Sequence, residues 1–316
     1  MRRLVPAVVL AALLAGSVLV APAQAAPAAT AALDRTDKGA ITAAYRQVLA
    51  PALATPIGWT GSTSGCRAGT VSAAQQAASL QVVNLARRLA GLTTVTFDPA
   101  LSRKAQQAAL VYAATNRLAH EIPNGWRCVT KAAKQAGTHS DIALGAAGAK
   151  AIALYLAEPG KANLDVGHRR WILNPAAKRF GSGSTSTSQA LWVIGAERAA
   201  GTYADPAWVS WPTPGYFPKR LEPKGLWSLS SGGAAKVDFA NATVSVVRGG
   251  KRLPVVLHEP VSGYAQPTLT WTVRGLVVPT TGLSAVYTVT VKGIVRAGRT
   301  VSHRYQVRLY DPTKVR

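Results

Sequence analysis

The apolar residues of this chain change their spacing along the sequence, from a helical period to a period of two. From residue 72 to Gly91 they recur at helical spacing, and residues 98–119 and 147–157 continue the pattern. Beyond residue 241 apolar and polar residues alternate in five segments separated by glycine-containing turns: 242–247, 253–257, 268–273, 285–291 and 301–309. The two periods in succession predict a helical domain followed by an all-β domain.

Two short strands are predicted between these halves, over residues 179–185 and 189–195, after helices at 126–135 and 147–157. Helices followed by a small sheet predict an α+β layered domain over residues 71–204. The period-two segments predict a β-sandwich of immunoglobulin-like type over residues 225–316.

The first 25 residues have the features of a secretory signal. Two arginines follow Met1, an apolar run extends from Leu4 to about Ala21, and small residues precede Ala25. An uncleaved membrane anchor is the alternative, because the run approaches the roughly 20 residues that span a bilayer. Pro6 and the small-residue exit favour cleavage after Ala25. We expect a secreted protein with no transmembrane segment in the mature chain.

Two further segments have the composition of linkers. Residues 26–70 are rich in Ala, Thr, Gly and Ser and predict a partly disordered tether with one short helix over 38–53. Residues 205–224 begin with a dense run of proline and aromatic residues, which predicts a stiff connector packed between the two domains.

Charge and cysteine content limit the partners and the compartment. The sequence holds 36 basic and 13 acidic side chains, a net charge of +23, which favours anionic cell-envelope polymers or lipid head groups as partners. No motif of interleaved aromatic and basic residues indicates specific nucleic-acid recognition. In an exported chain Cys66 and Cys128 are expected to form one disulfide, and two free buried thiols are the alternative.

Five short motifs occur in order between residues 80 and 196. They are NLARRLAGL at 84–92, FDPAL at 97–101, AH at 119–120, GHRRWIL at 167–173 and FGSG at 180–183. The series resembles the CAP superfamily of cysteine-rich secretory proteins, antigen 5 and plant pathogenesis-related proteins, in its bacterial form. The resemblance implies a three-layer α-β-α sandwich with a central cleft.

The resemblance also implies a cleft lined by two histidines and two acids. His120 and His168 match the histidines. The first acid of the family lies in a G-E-N-I-A segment, which here reads HSDIA, so that Ser140 takes the place of the glutamate and Asp141 that of the asparagine. The second acid has no match in the motifs, and Glu158 is the nearest carboxylate.

Two imidazoles that converge in a cleft are suited to a divalent ion such as Zn²⁺, with open positions for water or another ligand. Two histidines alone bind metal weakly, and a carboxylate from Asp141 or Glu158 would strengthen the site. The alternative is that His120 and His168 are hydrogen-bonded structural residues of an inert groove.

Other polar residues near these histidines have simpler interpretations. Asp165 is expected to cap a loop, and the Arg169–Arg170 pair to be solvated or salt-bridged rather than to clamp a phosphate. The sequence contains no G-x-S-x-G, H-E-x-x-H, C-x-x-C or S-x-x-K motif.

Three functions are consistent with these observations. The first is a secreted, non-enzymatic protein whose histidine-lined groove binds a metal ion, a lipid or a cell-envelope component. The second is a metal-assisted hydrolase of envelope material, with Asp141 or Glu158 as the base. The third is a structural or adhesive surface protein.

Overall fold

The computed structural model describes residues 33–233 and 235–316. The predicted signal at residues 1–25 lies outside the described residues. Within the part of the chain that is described, no helix is long and apolar enough to cross a membrane.

The first domain contains seven α-helices and four strands among the described residues. The helices are α1 (Lys38–Ala44), α2 (Ala50–Ala54), α3 (Ala73–Leu89), α4 (Pro99–Thr115), α5 (Lys131–Gly137), α6 (Gly148–Ala157) and α7 (Gly167–Ile172), with a π-helical turn (Tyr45–Leu49) joining α1 to α2. The strands are β1 (Thr96–Phe97), β2 (Ser140–Leu144), β3 (Arg179–Ser184) and β4 (Ser188–Trp192).

Capping side chains place the two longest helices. Ser72 accepts a hydrogen bond from the Gln75 amide at the start of α3, and Asp98 caps α4 with Pro99 at its first position. The helix predicted over 126–135 begins later, at Lys131, after the Thr130 cap. Cys128, which precedes it, has a positive φ of 61° that does not fit a right-handed helix.

The four strands form one sheet in the order β1-β3-β4-β2, with helices on both faces. Side chains of β4 alternate between the faces because successive residues of a strand point in opposite directions. Leu191 and Val193 pack in one buried cluster with residues of α3 and α6. Ala190 and Trp192 pack in another with residues of α4 and α5. The predicted α-β-α layering is confirmed.

Glycine in β3 lets α4 approach the sheet closely. A Cβ atom at Gly183 would lie 2.1 Å from the Gln106 backbone nitrogen, a distance that forbids any side chain. The Gln106 side chain joins the edge of β3, donating to the Ser184 carbonyl (2.7 Å) and accepting from its amide (3.0 Å). The close contact fixes the helix that leads to His120.

Residues 33–70 are not a tether, and that prediction is wrong for the described part of the segment. Ile41 and Leu49 are fully buried in the main core, and Arg35 donates to the Leu89 carbonyl at the end of α3. Thr42 also contacts the Tyr310 hydroxyl in the second domain. The prediction of a tether rested on alanine content, but alanine is also the best helix former and packs closely.

The second domain is built from two sheets. Its strands are β5 (Trp208–Trp211), β6 (Gly215–Pro218), β7 (Leu226–Ser231), β8 (Val237–Asp238), β9 (Thr243–Arg248), β10 (Lys251–Leu253), β11 (Val255–His258), β12 (Thr268–Val273), β13 (Ala285–Arg296) and β14 (Arg299–Tyr310). One sheet has the order β10-β9-β13-β14-β6, with β8 on β13, and the other has the order β11-β12-β7-β5. Trp227 of one sheet meets Tyr287 of the other edge to face, with ring centroids 5.7 Å apart, in a fully buried core.

The predicted connector at 205–224 is part of this sandwich rather than a linker. It supplies β5 and β6, which pair with β7 and β14. Its aromatic residues are strand residues, and Trp211 is completely buried in the core. A single buried cluster extends from α3 and α6 into the sandwich, so the two domains share one apolar core.

Candidate functional site

His168 lies at the start of α7 and is bound to a buried carboxylate. Its Nδ1 is 2.6 Å from Glu158 Oε2, and the other Glu158 oxygen accepts from the Arg169 backbone amide at 2.7 Å. The Glu158 side chain has no exposed surface, whereas that of His168 is 23 % exposed. The imidazole stacks on the Tyr155 ring, with centroids 5.0 Å apart. These contacts fix the ring with one edge open to solvent.

His120 follows α4 and is exposed. Its Nδ1 is 3.0 Å from the Gly137 carbonyl at the end of α5. A Cβ atom at Gly137 would lie 2.6 Å from the His120 carbonyl oxygen, so only glycine allows this approach. The contact brings the loop after α4 against α5 and positions the imidazole.

Ser140 and Asp141 begin β2 and are buried, with Asp141 3 % exposed. Ser140 Oγ and Asp141 Oδ2 have no hydrogen-bond partner among the described residues. Buried polar atoms without partners are rare in folded proteins and are expected where a ligand or water completes the contacts.

These residues share one cleft of about 280 Å³, which we call the histidine cleft. His120, His168, Ser140 and Asp141 all line it. Glu158 does not line the cleft and acts on it through His168. The remaining lining residues are Thr138, Ala162, Asn163, Asp165, Gly167, Trp171, Val193, Ile194 and Tyr264.

Residues 80–194 match the cysteine-rich secretory protein family, CAP. This part of the chain is a CAP domain. The match runs from within α3 to just past β4 and includes both cleft histidines, which agrees with the resemblance seen in the motifs. No curated protein matches the chain significantly in sequence. The immunoglobulin-like type of the sandwich stays a prediction.

Charged groups around the histidine cleft raise the pKa of His168. Burial by itself would lower the pKa of His168, but the hydrogen bond that its Nδ1 donates to Glu158 and the nearby Asp141, Glu158 and Asp165 carboxyls raise the pKa to about 9. Burial raises the pKa of Asp141 well above 3.8, His168 opposes that effect, and Glu158 adds to it. The cleft therefore holds His168, whose pKa lies above that of a free imidazole, beside the buried carboxyl of Asp141.

The side chains of the histidine cleft are poorly suited to hold a resident metal ion. Each histidine uses Nδ1 for an oxygen acceptor, which leaves Nε2 as a ligand atom, as is common in zinc sites. However, the described residues contain no group of three His, Cys, Asp or Glu side chains that could hold a metal. Both Glu158 oxygens are hydrogen-bonded, and a proton on His168 competes with a metal. Zinc binding therefore stays a prediction.

The disulfide predicted between Cys66 and Cys128 is formed. It joins the loop before α3 to the segment between His120 and α5. The bond therefore holds this segment in place beside the histidine cleft. The expectation of two free thiols is excluded, since the described residues contain no free cysteine.

The prediction for Arg169 and Arg170 is wrong, because both are buried and bind the second domain. Arg169 donates to the Leu226 carbonyl and to Ser228 Oγ, both at 3.0 Å. Burial lowers its pKa to about 10, while Glu158 and Glu222 raise it. Arg170 donates to three carbonyls of the sandwich.

Asp165 was expected to cap a loop. It lines the histidine cleft instead and accepts a hydrogen bond from the Tyr264 hydroxyl. Tyr264 belongs to the sandwich and was not predicted as a site residue. The two residues are 99 positions apart in the chain, and no local sequence pattern indicates their contact.

Proposed function

We propose that this is a secreted CAP-domain protein that binds a polar component of the cell envelope in the histidine cleft, without catalysing a reaction. The observation that carries the proposal is that His120, His168, Ser140 and Asp141 line one cleft, while Ser140 Oγ and Asp141 Oδ2 are buried without hydrogen-bond partners among the described residues. Polar side chains that line a cleft favour a ligand that brings its own donors and acceptors.

The composition of the walls favours a polar ligand over a lipid tail. Thr138 and Asn163 offer side-chain hydrogen bonds beside the apolar Trp171 and Ile194, whereas an acyl chain requires a continuous apolar tunnel. The net charge of +23 supports an anionic polymer as the source, because it concentrates such polymers near the surface. The disulfide supports an extracellular location.

The state of the acids argues against proton-transfer catalysis by these residues. Burial raises the pKa of Asp141, and Glu158 has both oxygens hydrogen-bonded and lies behind His168. A general base needs a free basic atom within reach of the reacting proton. Metal-assisted hydrolysis is the second candidate and needs an added ion.

Calorimetric titration with a soluble peptidoglycan fragment, a disaccharide pentapeptide, tests the proposal. We expect His168→Ala and His120→Ala to weaken binding at least tenfold and His303→Ala, outside the cleft lining, to leave it unchanged. Equal binding by the double cleft variant and the wild type would contradict the proposal.

The same samples distinguish the other functions. Zinc bound in a one-to-one ratio and lost in the double variant, together with cleavage of the fragment, would replace the proposal by the hydrolase. Retention of lipid vesicles but not of the fragment would indicate a lipid ligand. Mass spectrometry of the secreted protein should find Ala26 as its first residue.

A further inference from the structure

A loop of the sandwich lies against the CAP cleft and is fixed there by a buried arginine. We call this loop, residues 259–267 between β11 and β12, the latch loop. Arg170 of α7 donates to the Val261 carbonyl (3.1 Å), the Tyr264 carbonyl (2.6 Å) and the Gln266 carbonyl (2.9 Å). Three charge-assisted hydrogen bonds from one planar group hold the loop in a single conformation.

The latch loop places Tyr264 in the wall of the histidine cleft. The guanidinium of Arg170 lies 3.9 Å from the centroid of the Tyr264 ring, and the phenol donates to Asp165. Trp171 lies beside it, with ring centroids 6.0 Å apart. Any ligand that fills the cleft therefore meets an aromatic residue of the second domain.

A second hollow adjoins the histidine cleft at Asp165. A second pocket of about 610 Å³ shares Ala162 and Asp165 with the histidine cleft and is bounded by both domains. Leu164 lines it from the first domain, and Leu257 and Val261 from the sandwich. The two hollows adjoin at these shared residues, and together we call them the interdomain groove.

The sandwich side of the interdomain groove has the features of a peptide-binding edge. Strand β11 is the edge strand of its sheet and pairs only with β12 among the described strands of that sheet. Its Leu257 is 42 % exposed, and Val261 just beyond it is 45 % exposed. An edge strand offers backbone donors and acceptors to an extended peptide, and neighbouring apolar side chains receive alternate residues of that peptide.

We propose that the ligand of this protein is an extended peptide-bearing chain that occupies the whole interdomain groove. One end lies in the histidine cleft against Tyr264, and the peptide continues past Asp165 along β11 over Leu257 and Val261. Tyr264 is then a specificity-determining residue, Arg170 positions it, and the sandwich is part of the binding site. This inference rests on the proposed function and adds the class of ligand.

Calorimetric titration with three fragments tests this inference. The fragments are a disaccharide pentapeptide, a disaccharide dipeptide and a tetrasaccharide without peptide. We expect the pentapeptide fragment to bind at least tenfold more tightly than the dipeptide fragment. Leu257→Ser should remove that difference, because burying a leucine contributes about tenfold or more to affinity. Tyr264→Phe should weaken both peptide fragments about three- to tenfold through the lost hydroxyl.

Matched variants control for indirect effects. Leu283→Ser changes a leucine that is 78 % exposed and lines neither hollow, and Tyr216→Phe changes a half-buried tyrosine of β6. Both should bind like the wild type, and all variants should melt cooperatively by circular dichroism.

Equal affinity for the two peptide lengths, or equally tight binding of the bare tetrasaccharide, would overturn the inference. If the dipeptide fragment binds and His168→Ala abolishes it while Leu257→Ser and Tyr264→Phe change nothing, the proposed function stands and this inference fails. If no fragment binds the wild type, both fail.

Discussion

Replacement of Glu158 by glutamine removes one negative charge from beneath His168 and leaves the shape of the side chain intact. The amide oxygen still accepts from the Arg169 amide, but the ionic hydrogen bond to His168 Nδ1 is lost. Because Glu158 supplies both a hydrogen bond and a charge that raise the pKa of His168, we expect this pKa to fall from about 9 towards 6.5 in Glu158→Gln.

The magnitude follows from that pKa. At about 1.36 kcal/mol for each pKa unit, the difference between about 9 and 6.5 corresponds to about 3 kcal/mol of folding stability. The pKa of His168 is higher in the folded protein than in the unfolded chain. The stabilisation is therefore complete below pH 6.5 and is lost as the pH rises through about 9.

Urea unfolding at pH 6 and pH 10 measures this effect, with NMR titration of the His168 ring as the direct probe. Glu158→Gln should be less stable than the wild type by about 3 kcal/mol at pH 6, and the difference should shrink markedly at pH 10. The exposed Glu121→Gln is the control and should match the wild type at both values. A difference that is the same at both pH values, or a His168 pKa below 7 in the wild type, would refute the reasoning.

Three other predictions concern the framework of the site. Gly183→Ala should destabilise the protein by several kcal/mol in urea unfolding, because its Cβ meets the α4 backbone at 2.1 Å, while Gly125→Ala, with nothing within 4 Å, should be neutral. Cys66→Ser with Cys128→Ser should cost about 4 kcal/mol for a loop of 62 residues, and equal midpoints with and without the disulfide would contradict this. Arg170→Ala should make the latch loop the first site of limited proteolysis, and an unchanged cleavage pattern would show that the loop is held by other contacts.

The layered fold was predictable because its signals are local. Apolar spacing indicated α3, α4 and α6. Alternation indicated the main strands of the sandwich. These patterns reflect one buried face for each element and do not depend on which element packs against it.

The linkers were predicted wrongly because composition says nothing about long-range partners. The alanine-rich segment before residue 70 is held by contacts such as Thr42 with Tyr310, 268 positions away. The proline- and tryptophan-rich segment supplies β6, which pairs in parallel with β14 across more than 80 residues. Neither partner can be identified from the segment itself.

The site was only half predictable for the same reason. The motifs identified His120 and His168, and proximity in sequence suggested Glu158, which the structure places on His168 Nδ1. Arg170 looked like a surface charge because its three acceptors lie in another domain. Tyr264 carries no motif, and only the fold brings it to the cleft.

Ring resonances of the five histidines offer the most direct test of the central claim that the histidine cleft binds the ligand. Titration of isotopically labelled protein with the disaccharide dipeptide should shift the His120 and His168 signals in a saturable way. His303 on β14, outside the cleft lining, should stay unchanged. Saturable binding that leaves His120 and His168 unmoved, or that moves His303 instead, would contradict the account.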